Sequence, residues 1–129
     1  MHKHILVAMD NVLMMSSLMT SIATLVSEAV THPIGDTETM AGFLNNNREP
    51  SLIVLDMEMR DNKGRAILEF LVERKTQVGL ILINAQSFND SGTSFDNMNI
   101  AGHFNKPLNY RALYTTIKKV LEEKVMPQA

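Results

Sequence analysis

The chain has 129 residues, a length that favours one domain burying roughly two-thirds of the surface it exposes when unfolded. Hydrophobic residues make up 45%, charged residues 20%, and the net charge is −2 with no basic stripe, values ordinary for a globular protein and contrary to nucleic-acid binding by this domain. The absence of Cys excludes disulfides and thiolate metal sites and fits a cytoplasmic setting, while no apolar run approaches a membrane span and Met1-His2-Lys3-His4 enters a strand with no signal peptide.

In chain order, the first strand is Ile5-Leu6-Val7-Ala8-Met9, closed by Asp10. Asn11 then caps a helix from about Val12 to Glu28, with Met15, Leu18, Ile22, Leu25 and Val26 at helical spacing. Ala29 to Gly35 is a second strand that Pro33 confines to an edge. Asp36-Thr37-Glu38-Thr39 reads as the start of a short helix ending in Asn45-Asn46-Asn47. The third strand, Ser51 to Leu55, is the clearest and is closed by Asp56. A polar loop to Lys63 leads to a helix opened by Gly64 and running to about Lys75, with Ile67, Leu68, Leu71 and Val72 inward. The fourth strand, Val78 to Ile83, leads to Asn84. A helix belongs next by pattern, but residues 87–94 compete with helix formation, so it should be short, late or irregular. The fifth strand covers about His103 to Asn105 and ends at Lys106-Pro107. Asn109 caps a last helix to about Val125, with Leu113, Ile117, Val120 and Leu121 buried.

Short apolar runs of this kind read as strands buried on both faces, hence a parallel sheet covered by helices. Five alternations of strand and helix give an α/β, flavodoxin-like doubly wound sheet in the order 2-1-3-4-5 with about five helices, over residues 1–125, and a tail at 126–129. The polar residues that end the strands, Asp10, Asp56, Asn84 and Lys106, then converge at the C-terminal sheet edge, where such folds hold ligands. Two carboxylates and one ammonium there suggest a site for a divalent cation and a phosphoryl group.

On these residues the chain resembles the receiver (CheY-like) domain of two-component response regulators. The matching stretches are Ile5-Leu6-Val7-Ala8-Met9-Asp10-Asn11, Leu55-Asp56 with Gly64 eight residues on, Asn84-Ala85, and Lys106-Pro107 at a 22-residue interval from Asn84. The resemblance implies Asp56 as phosphoacceptor from a histidine kinase or phosphotransfer protein. It implies Mg²⁺ held by Asp10, Asp56 and the backbone carbonyl of Glu58, with Lys106, Asn84 and Ala85 on the phosphoryl group. Asn84 and His103 would form the switch, acting on the surface of the segment after strand four, strand five and the last helix. A carboxylate attacks an anionic phosphoryl donor poorly unless charge is neutralised, which is the chemical reason for the metal.

Three positions depart from that pattern. Met9 replaces the first acid of the usual pair, which predicts weaker Mg²⁺ binding restored by Met9→Asp. Asn84 replaces Thr or Ser, with an amide that can still donate to phosphate. His103 replaces the aromatic residue of the switch and reads as an exposed histidine. Arg60 also stands where a Pro is common, four residues after the phosphoacceptor.

Elsewhere Glu58, Arg60, Asp61 and Lys63 read as a solvated loop, and His2, His4 and His32 as edge or surface residues without the further ligands a metal needs. Residues 12–27 carry no charge, so Met14 and Met19 are candidates for a docking or self-association patch on the first helix. The leading expectation is therefore a Mg²⁺-dependent phosphoacceptor that is not itself an enzyme and signals through a partner protein or an effector domain outside this chain. The alternative is a pseudo-receiver, an interaction module that keeps the fold without phosphate switching. A flavodoxin-like redox protein would need a Ser/Thr/Gly-rich phosphate loop after strand one, where the chain has Asn11-Val12-Leu13-Met14-Met15.

Overall fold

The structure is a computed structural model, and it describes residues 2–46, 49–84 and 98–125, with side chains described through Glu122. Five parallel strands, β1 (Lys3–Ala8), β2 (Ala29–Ile34), β3 (Leu52–Asp56), β4 (Leu80–Ile83) and β5 (Ile100–Phe104), form one sheet in the order β2-β1-β3-β4-β5. Among the described residues four α-helices accompany them: α1 (Val12–Leu25), α2 (Thr37–Asn46), α3 (Lys63–Arg74) and α4 (Tyr110–Val125), with a 3-10 turn at Arg60–Asn62 ahead of α3. The fold class and strand order agree with the sequence reading. The helix expected around residues 87–94 and the tail at 126–129 lie outside the described residues. Among the described residues no helix is long and apolar enough to cross a membrane.

The central strands are apolar at successive positions because both sheet faces are covered. Leu6, Ala8, Ile53, Leu55, Leu80 and Leu82 pack on one face with Met40, Leu44, Ile67, Leu68 and Leu71 of α2 and α3. Ile5, Val7, Leu52, Val54, Ile81 and Ile83 pack on the other with Leu18 and Ile22 of α1 and Leu113, Ile117 and Leu121 of α4. Alternation along each strand thus feeds two cores from a continuous apolar run. Leu25, expected in the buried stripe of α1, faces outward, since the helix stops there and Val26 closes the core instead.

Local chemistry places the helix ends. Asn11 Oδ1 accepts the Met14 N–H at 2.9 Å, and Asn109 Oδ1 accepts the Ala112 N–H at 3.1 Å. Asp36 Oδ1 accepts both the Thr39 N–H and its hydroxyl, at 2.8 and 2.7 Å, which holds the Asp36 carboxyl below its usual pKa range. β5 begins at Ile100, three residues before the expected start, because an edge strand is only half covered and its apolar run is diluted by Ala101 and Gly102. A Cβ on Gly102 would lie 3.0 Å from the Phe104 ring and 3.1 Å from Thr116, so the small residue lets α4 approach. β2 is the opposite edge, as Pro33 requires.

His32 lies on the edge strand β2, as read, and meets His4 of β1. His4 and His32 sit diagonally on β1 and β2, half-buried, with His4 Nδ1 2.9 Å from His32 Nε2. The Phe43 ring of α2 lies 4.8 Å from the His32 ring, centre to centre, and His2 approaches His4 at 6.4 Å. Alternation put His2 and His4 on one face; only the pairing of β1 with β2 adds His32.

Candidate functional site

β1 and β3 are adjacent and in register, Ala8 beside Leu55, so Asp10 and Asp56 leave neighbouring strand ends. Asp56 is the last residue of β3 and is only 2% exposed. Its Oδ1 accepts the Glu58 N–H at 2.8 Å, and its Oδ2 lies 3.1 Å from Lys106 Nζ. Lys106, two residues beyond β5, is 34% exposed at its side chain and also faces Glu58 Oε1 at 3.9 Å. A buried carboxylate thus has an N–H donor on one oxygen and a reachable ammonium on the other. Charge-assisted contacts of this kind are the stronger class of hydrogen bond.

Gly64 explains why the chain can close over this end of β3. A Cβ there would lie 2.3 Å from the Asp56 carbonyl oxygen and 3.1 Å from the Met57 Cα. The loop between them reverses through Asp61 and Asn62, both left-handed at φ 57 and 55, and α3 starts at Lys63, one residue earlier than expected.

Asn84 joins β4 to the same edge. Its N–H donates to the Phe104 carbonyl at 2.7 Å, and its Oδ1 accepts the Lys106 N–H at 2.8 Å. Its backbone is left-handed at φ 57, a conformation Asn tolerates and β-branched residues do not. Its Nδ2 is buried and has no hydrogen-bond partner among the described residues. An unpaired buried amide is costly unless a ligand or water completes it. Ala85, expected beside it on the phosphoryl group, lies outside the described residues.

Two expectations change here. Met9 is 2% exposed and belongs to the α1–α4 core, so this position offers the strand end an apolar side chain turned away from solvent. The loop taken as merely solvated is engaged: Asp10 Oδ2 accepts the Arg60 N–H and lies 3.5 Å from Arg60 Nε. Sequence spacing gave no sign of this pair, which is fifty residues apart. His103, by contrast, is exposed on β5, as its reading anticipated.

Hard carboxylate oxygens at Asp10 and Asp56, with the Glu58 carbonyl nearby in sequence, are of the type that suits Mg²⁺. No group of three or more His, Cys, Asp or Glu side chains among the described residues is assembled to hold a metal, and a two-carboxylate set would rely on main chain and water.

On α1, Met14 and Met19 are partly buried against the core, whereas Val12 and Leu13 at its start and Leu25 at its end are exposed, Leu13 at 83%. Met19 and Val12 line a groove of about 410 Å³ with Met15, Thr31 and Pro33, along the β2 edge.

No family model and no curated relative matches the sequence. Solved structures do. The response regulator TrrA from Thermotoga maritima, in complex with Mg²⁺–BeF, superposes with a TM-score of 0.70 at 22% identity, over 92% of this chain and 99% of that one. A response regulator from Colwellia psychrerythraea gives 0.71 at 21% identity, over 95% and 99%. A CheY-like receiver domain from Methanospirillum hungatei gives 0.69 at 20%, over 96% and 97%. Together with the strand order, these similarities show that the chain has the fold of response-regulator receiver domains.

Proposed function

We propose that the protein is a two-component receiver in which Asp56 accepts a phosphoryl group from a histidine kinase or phosphotransfer protein. The observation that carries this reading is the Asp56–Lys106 pair: a buried carboxylate at a strand end with an ammonium 3.1 Å from one oxygen. Lys106 offsets the charge that an acyl phosphate adds, and the unpaired Asn84 Nδ2 supplies a donor for one of its oxygens. Asp10, Asp56 and the Glu58 carbonyl would hold Mg²⁺, which when bound supplies the remaining charge neutralisation. The protein would not turn over a small molecule itself. Its output would pass to a partner protein or to an effector domain through the added charge. The exposed end of α1, with Val12, Leu13 and the Met19 groove, is the surface available to a partner or a second copy, with Met14 packed beneath it.

Acetyl phosphate with Mg²⁺, followed by intact mass, tests the reading. One phosphoryl adduct in the native protein and none in Asp56→Asn is the expected result; no adduct under any condition would remove it. A second reading, a pseudo-receiver that does not switch on phosphate, is favoured by the apolar burial of Met9 and by the engagement of Asp10 with Arg60.

A further inference from the structure

We infer that Arg60 is a tethered counter-ion of Asp10 that competes with a divalent cation for the strand-end pocket. The inference rests on the metal-binding part of the function proposed above. Each strand-end carboxylate already has a cation of the chain's own: Lys106 stands beside Asp56, and Arg60 beside Asp10. Met9 contributes no further charge because its side chain is in the core. With Glu58 also facing Lys106, three carboxylates meet two cations of the chain's own, and an entering divalent cation finds one of those carboxylates with its Oδ2 already engaged.

The contact has two parts of different character. The Arg60 N–H is a main-chain donor that follows the extended Met59, and the chain turns back through the left-handed Asp61 and Asn62 after it. A cation bound at that lone pair must displace the N–H, so metal binding through Oδ2 competes with the loop contact. The guanidinium is 85% exposed and 3.5 Å away, a contact that solvent and salt weaken. Arg60 is thus a displaceable occupant. It sets a threshold of cation concentration below which the loop stays fastened to β1.

Two substitutions separate the parts. Arg60→Gln removes the charge and keeps the N–H. Arg60→Pro removes both, and the site accepts it: Met59 before it is extended at φ −69, ψ 147, and residue 60 opens the 3-10 turn, where proline is tolerated. Mg²⁺ titrations by calorimetry, with Mn²⁺ followed by paramagnetic resonance, read affinity without phosphorylation, and unfolding midpoints are recorded alongside.

The dissociation constant is expected to fall about two- to fivefold in Arg60→Gln, the span of an exposed ion pair. It should fall about tenfold or more in Arg60→Pro, which also loses a charge-assisted hydrogen bond. Adding Asp10→Asn should cancel either gain. Equal affinities in the native protein and both variants would overturn the inference and leave the receiver reading standing. No cation binding in any of the proteins would overturn the inference together with the metal-dependent reading. If Arg60→Pro unfolds, Arg60→Gln decides the matter, since its side chain is at the surface.

Discussion

Asn84 holds Lys106 in place from across the sheet: its Oδ1 accepts the Lys106 N–H at 2.8 Å, and the Lys106 ammonium in turn reaches Asp56. The residue that ends β4 therefore positions the residue that neutralises the end of β3. Asn84 does so from a left-handed backbone that also donates its own N–H to Phe104. A side chain with a short carbonyl reach and tolerance of positive φ is what this position demands.

Replacement by the hydroxyl residue usual at such a strand end should therefore harm the protein. Asn84→Thr places a β-branched side chain at φ 57, costing about 1–2 kcal/mol, and loses the acceptor for Lys106, about 1 kcal/mol more. Asn84→Gly keeps the backbone and loses only the acceptor, so its cost is about 1 kcal/mol. Urea unfolding of both checks the order; equal stability of the Thr variant and the native protein would contradict the left-handed conformation.

Gly64→Ala should lower stability by about 1–3 kcal/mol, the usual range for overpacking, because its Cβ meets main-chain atoms that cannot rotate away. The Asp56 carbonyl must shift, so acetyl phosphate labelling should fall with stability. A thermal melt unchanged from the native protein would show that α3 does not press on the end of β3.

Lys106→Met leaves the Asp56 carboxylate buried without its cation, whereas the double variant with Asp56→Asn removes both charges. The single lysine change should cost more than the two together add beyond Asp56→Asn, with a coupling energy of about 1–2 kcal/mol. The partial exposure of Lys106 keeps this below the value for a fully buried pair. A double-mutant cycle in urea measures it, and a coupling near zero would mean the contact is incidental.

Met9→Asp is a natural attempt to rebuild an acidic pair beside Asp10, and the structure argues against it. Met9 belongs to the same buried apolar cluster as Val7, Leu18 and Ile22, so a carboxylate there is buried among apolar side chains. A loss of about 2–4 kcal/mol is expected. Native-like stability combined with tighter Mg²⁺ binding would show that residue 9 turns to the pocket instead.

The histidine pair predicts acid sensitivity. Burial, and then the charge of His4, lower the His32 pKa from its ordinary value, so the unfolded chain takes up a proton more readily than the folded one. Stability from neutral His32 is thus complete above about pH 6.5, its unfolded value, and is lost as pH falls towards the depressed folded value. The Phe43 ring on its other contact is uncharged and provides no compensating anion. Denaturant midpoints between pH 7 and pH 5 should fall, and His32→Gln should flatten the slope.

The layout of the fold was legible in the residues alone. Apolar runs interrupted at Asp10, Asp56, Asn84 and Lys106 are visible because a parallel sheet covered on both sides needs no polar face, and its helices show their own period. The order of strands followed from the five alternations of strand and helix, the pattern of a doubly wound sheet. β5 was less legible because an edge strand has weaker burial and includes Gly102. Tertiary structure alone decided the pairings at the site: Asp10 with Arg60, Asp56 with Lys106, His4 with His32, and Gly64 against the Asp56 carbonyl. Those contacts join residues far apart in the chain, through loops whose left-handed turns at Asp61, Asn62 and Asn84 have no periodicity to read. A residue's type tells which chemistry it can perform, but its partner is set by the strand register and loop path that bring the two together.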